Sequence, residues 1–155
     1  HLYNSRHSKT YQHQRCSLTN TRPKKVAIGI RGKPCPNDKS GYVRIDSIHQ
    51  GDQDKRKWIY HINTVDAVTQ LQMIVTVGRM SEAFMLPTIQ HILESFPFEI
   101  PRLHADNGGE YINDTTAALL NKLLIEFTKS RPRHSNDNAL VISKNGSVIR
   151  KLYSY

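Results

Sequence analysis

A chain of 155 residues that is 37% hydrophobic and 23% charged has enough apolar material for one ordinary domain with a core. No apolar run approaches the ~18 residues that span a bilayer, so the expected partners exclude a membrane. The two cysteines, Cys16 and Cys35, have no C-x-x-C spacing, which argues against a disulfide framework. The opening "HLYNSRHSKT" lacks Met and an apolar leader, so we expect a fragment of a longer cytoplasmic protein.

The formal net charge of +9 is unevenly spread. Residues 1–39, including Lys24 and Lys25, hold nine Lys/Arg against Asp38 alone, whereas residues 40–127 hold seven bases and eleven acids. Residues 128–155 return to six bases against one acid. An acidic centre between basic ends suits a polyanion gripped from both sides around a held cation.

Residues 1–38 carry Pro23, Pro34 and Pro36 without sustained periodicity and read as a basic arm, with only "KVAIGI" extended. The remainder, 39–155, reads as the folded core. "YVRIDSIH" alternates Tyr42, Arg44 and Asp46 against Val43, Ile45 and Ser47, a strand pattern. After the turn "QGDQDKR", "KWIYHINTVDA" and "LQMIVTVG" complete an antiparallel meander.

A helix is expected from Ser81, with Phe84, Ile89, Ile92, Leu93 and Phe96 on its apolar face and Pro87 kinking it or marking its start. "EIPRLHAD" predicts a fourth strand ending at Asp106, followed by a helix from about Thr115 to Leu123. "LLIEFTKS" predicts a fifth strand. Ser135, Asn136, Asp137 and Asn138 then cap a closing helix with Val141, Val148 and Leu152 as its apolar stripe. This order predicts an α/β fold, a mixed five-stranded sheet with helices on both faces.

Asp46 and Asp106 stand on strands that such a sheet can place side by side, where two carboxylates suit a hard divalent cation. Acids at strand ends also commonly cap turns. Ile142 is out of place on the closing helix, because at 100° per residue it shares a face with Asn138 and Asn145.

"RIDSIHQGD", "YHINTVDAVTQ", "HADNGGEYIN", "LLIEFTKSRPRHSNDNALV" and "SKNGSVIRK" together resemble the integrase catalytic core of bacterial insertion-sequence transposases. These belong to the DDE group related to retroviral integrases, and the resemblance runs from about Gly41 to Tyr155. It implies a ribonuclease-H-like fold and metal-dependent DNA strand cleavage and transfer. Water, then a DNA 3′-hydroxyl, would be the nucleophiles, with one or two Mg²⁺ or Mn²⁺ ions and a homo-oligomer in the active form. Carried over, Asp46 and Asp106 are the first two catalytic, metal-binding acids. The family's third acid, a Glu, follows the second after 35 intervening residues, a spacing that lands on Ile142.

An Ile offers no oxygen to a metal, so the resemblance implies an enzyme whose chemistry is impaired. The alternative it leaves open is a non-catalytic DNA-binding remnant of a decayed insertion element. Lys129, Arg131 and Arg133 before the closing helix, and Lys144 and Arg150 on it, fall where such proteins approach DNA.

Overall fold

The computed structural model describes residues 28–53, 56–57, 59–106 and 108–153. The strands are β1 (Ile30–Arg31), β2 (Tyr42–His49), β3 (Asp52–Gln53), β4 (Arg56–Lys57), β5 (Tyr60–Asp66), β6 (Gln72–Val77), β7 (Arg102–Ala105) and β8 (Glu126–Lys129). Helix α1 (Glu82–Ser95) links β6 to β7, and α2 (Asp114–Lys122) links β7 to β8. A 3₁₀ turn (Ser135–Asn138) leads into α3 (Ala139–Lys144), a π-helical stretch (Asn145–Ile149) and α4 (Arg150–Tyr153).

The main sheet has the order β1-β8-β7-β2-β5-β6. Its β2-β5-β6 half is the expected antiparallel meander, and β7, β8 and β1 join in parallel. The architecture is the expected mixed α/β sheet, with one strand more. Ile30–Arg31, within the stretch read as an arm, adds an edge beside β8, and β3 and β4 form a separate small ribbon.

Alternation in β2 sends Val43 and Ile45 into the core shared with α1 and α2, and Asp46 to the opposite face, where α3 lies. Helix α1 runs through Pro87, which therefore neither starts nor ends it. Its inner stripe is Met85, Ile89, Ile92, Leu93 and Phe96, while Phe84 is half exposed. Steps of four and three from Met85 keep one face, and Phe84 lies a step outside it.

The closing helix also departs from the expected stripe: Val141, Asn145 and Ile149 are buried, and Leu152 is exposed. Every fourth residue of a uniform α-helix drifts off a face, and the wider i→i+5 turns of Asn145–Ile149 offset that drift.

Asp66 locks the β5–β6 turn to the start of β2. Its carboxylate accepts from the N–H groups of Gly41 (2.8 Å), Val68 (3.2 Å) and Thr69 (2.7 Å) and from the Thr69 hydroxyl (2.7 Å). Burial pushes the Asp66 carboxyl up, but these hydrogen bonds outweigh burial and leave it below its ordinary value. A depressed folded pKa contributes stability that is present above the unfolded value of about 3.9 and is lost as pH falls through the folded one. Asp66→Asn should therefore flatten the fall in melting temperature below about pH 4. Parallel acid profiles for the two chains would show that Asp66 carries none of this dependence.

Candidate active site

The parallel pairing of β2 with β7 sets Ile45 opposite Ala105. The next residue of each strand is an acid, so Asp46 and Asp106 follow side by side at the carboxyl end of β7. Neither was local to the other in sequence; the strand pairing brings them together. Burial pushes the Asp46 carboxyl up to about 6, opposed by the Ser47 N–H, and the nearby charges of Asp106 and Glu110 push the same way as burial. Like charges held together in partial burial are relieved by a bound cation, and carboxylate oxygens are the donors that a hard divalent ion prefers. The pair thus fits one such ion.

The loop after Asp106 is drawn tight. The Gly108 N–H donates to Asp106 Oδ1 at 2.7 Å, and Glu110 Oε1 accepts from Ser47 Oγ at 3.2 Å. A Cβ on Gly108 would stand 2.6 Å from Glu110 Oε2 and 2.8 Å from Asp106 Oδ1, so the two carboxylates crowd this glycine. Even so, among the described residues no three His, Cys, Asp or Glu side chains form a group able to hold a metal ion.

The closing helical segment covers Asp46 from the other side. Asn138 Nδ2 donates to the Ile45 carbonyl at 3.3 Å, and Asn145 Nδ2 donates to Asp46 Oδ2 at 2.7 Å. Ile142, between them in sequence, is 48% exposed where both asparagines are buried, so it is no core residue. The segment therefore docks by Asn138 and Asn145 together with buried Val141 and Ile149.

The basic candidates are differently placed. Lys129 is buried in β8 with its ammonium donating to the Ile28 carbonyl, so it is not a surface charge. Arg131 forks onto buried Asp137 through Nε (3.0 Å) and Nη2 (2.9 Å), and this pairing holds the Asp137 carboxyl well below the usual carboxylate range. Arg133 and Arg150 are exposed and Lys144 is half-buried, whereas Lys24 and Lys25 lie outside the described residues. His104 is buried, donating to or accepting from Thr128 (2.9 Å) and Ser130 (3.2 Å), and burial followed by the Arg44 charge pushes it down to about 4. It packs the sheet as a neutral side chain.

Sequence reasoning missed Asn63 and Gln72. Asn63 is the cross-strand partner of Asp46 and is fully buried, and Gln72 donates to it at 2.9 Å. A polar amide in the middle of an otherwise buried strand was the available signal.

No family model matches the chain. A curated relative from Sinorhizobium fredii (strain NBRC 101917 / NGR234), named "Uncharacterized protein y4rM", is 26% identical over 116 residues. The match covers 74% of this chain, which spans about a third (33%) of that relative's length. Among solved structures, the simian T-cell lymphotropic virus intasome in complex with PP2A regulatory subunit B56 gamma gives a TM-score of 0.65 at 19% identity, over 83% of this chain and 44% of that one. The catalytic core domain of BIV integrase gives 0.59 at 17% identity, over 76% and 72%. The HTLV-2 integrase catalytic core domain in complex with magnesium gives 0.59 at 13%, over 75% and 72%. By its strand order and these likenesses, the chain carries the ribonuclease-H-like fold of retroviral integrase catalytic cores.

Proposed function

We propose that the chain is the catalytic core of a DNA transposase or integrase of the insertion-sequence type, impaired at its third acidic position. The observation that carries this reading is the pairing of β2 with β7, which sets Asp46 and Asp106 side by side, with Asn145 of the closing helical segment bonded to Asp46. Asp46 and Asp106 would hold Mg²⁺ or Mn²⁺ through carboxylate oxygens. Divalent ions, when bound, activate the attacking oxygen and stabilise the leaving one in phosphoryl transfer. Asn138 and Asn145 fix the covering helix on β2, and Arg133, Lys144 and Arg150 lie on or just before that helix for phosphate contacts. The structural neighbours, an intasome and a magnesium complex among them, support DNA and a divalent ion as the ligand classes and a homo-oligomer as the working form.

A non-catalytic DNA-binding remnant is the second reading, favoured by the lack of a third acid on the helix face around Ile142. Mn²⁺-dependent nicking of a supercoiled plasmid separates the two. Asp106→Asn should abolish any nicking while leaving DNA affinity within about threefold, since neutralising an acid does not weaken phosphate contacts. Nicking that survives Asp106→Asn would remove the metal-site reading.

The basic N-terminal segment should supply much of the DNA affinity. Starting the chain at Ile28 removes six Lys/Arg and no acid. Affinity should fall, and the slope of log K against log salt should flatten by roughly 0.9 for each phosphate that is no longer neutralised. Equal slopes for the full and shortened chains would reduce the basic excess to a solubility feature.

A further inference from the structure

Asp46 stands at the end of a chain of side-chain amides that crosses three structural elements. Gln72 Nε2 on β6 donates to Asn63 Oδ1 at 2.9 Å. Asn63 Nδ2 on β5 donates to Asn145 Oδ1 at 2.5 Å, and Asn145 Nδ2 donates to Asp46 Oδ2 at 2.7 Å. Asn63 is fully buried and Asn145 is 6% exposed, so water does not replace these bonds cheaply.

The chain has one direction, set by chemistry at its end. An ionised carboxylate only accepts, so Asn145 must turn its NH₂ to Asp46 and its carbonyl to Asn63. Asn63 must then present NH₂ to Asn145 and its carbonyl to Gln72, which must donate. Each amide orients the next, and the last bond occupies Oδ2 of Asp46. Oδ1 of that carboxylate lies outside the relay.

We infer that the Gln72–Asn63–Asn145 relay is a positioning device that fixes the rotamer of Asp46 for a divalent cation. This rests on the metal-site reading of the proposed function. Partners one shell out from a metal orient its ligands, and their loss typically weakens metal affinity 10–100-fold. The relay also ties β6, the far edge of the sheet, to the site through β5.

The test is Mn²⁺ affinity of the full chain, read by the electron paramagnetic resonance of free Mn²⁺, with thermal melts as a check on folding. Asn145→Ala should weaken Mn²⁺ binding about tenfold. Gln72→Glu is the sharper variant because it is nearly isosteric and lies on a half-buried strand position. Glu only accepts, so Asn63 must rotate to donate to it, Asn145 follows, and a carbonyl then faces Asp46. The relay therefore predicts weaker Mn²⁺ binding for Gln72→Glu, by about threefold or more, against the tightening that an added negative charge gives by simple attraction. Unchanged or tighter binding in Gln72→Glu, or unchanged binding in Asn145→Ala, overturns the relay alone. A parent chain that binds no Mn²⁺ overturns the metal-site reading itself, and the positioning role with it.

Discussion

Ile142→Glu is expected to raise Mg²⁺- or Mn²⁺-dependent DNA nicking by at least ~10³-fold, roughly 4 kcal/mol of transition-state stabilisation. The position lies between Asn138 and Asn145, whose amides grip the Ile45 carbonyl and Asp46 Oδ2. A carboxylate there would add the oxygen donors and negative charge that a second cation needs. Because Ile142 is 48% exposed, its replacement removes little core packing, and the melting temperature should move by only a few degrees. Nicking and strand-transfer assays beside the parent chain measure the gain. Equal metal-dependent rates in the two chains would sink this account. The carboxylate best placed to serve instead would be Glu110, which crowds Gly108 opposite Asp106 and accepts from Ser47.

The largest stability loss is expected at Gly41. Its φ of +99° lies in a region that side chains rarely adopt, and an added Cβ would run into the Glu99 carbonyl and the Pro101 ring. The Gly41 N–H also donates to Asp66 Oδ1 at 2.8 Å, so the chain cannot swing away without breaking the turn that Asp66 organises. Backbone strain and overpacking together put Gly41→Ala at about 3–4 kcal/mol of lost stability. Urea unfolding of the two chains at neutral pH measures it, and a loss below about 1 kcal/mol would mean that the Glu99–Pro101 segment yields. The consequence reaches the site, because Gly41 and Pro101 precede the two strands, β2 and β7, whose pairing brings Asp46 beside Asp106.

The sequence by itself determined the elements whose signals are local. Period-two alternation marked Tyr42–His49, the two hairpin partners followed from short polar links, and apolar spacing marked the helix beginning after Ser81. Uniform helical spacing put Ile142 with Asn138 and Asn145, whereas the two asparagines are buried and Ile142 is half exposed. Periodicity could not choose between neighbouring apolar residues, so Phe84 was expected inside where Met85 is buried. Nor could it anticipate the π-helical turns that exchange Val148 and Leu152 for Asn145 and Ile149 on the inner side.

Tertiary structure alone decided the rest, because it depends on which distant strands pair. Lys129 reads as a surface charge in sequence, but the edge strand Ile30–Arg31 closes over it and offers the Ile28 carbonyl to its ammonium. Asn63 and Gln72 stand far from Asp46 in sequence, and they reach it only because β5 lies between β2 and β6 with Asp46 opposite Asn63. A hydrogen bond needs donor and acceptor within about 3 Å, and residues tens of positions apart reach that distance only through strand register.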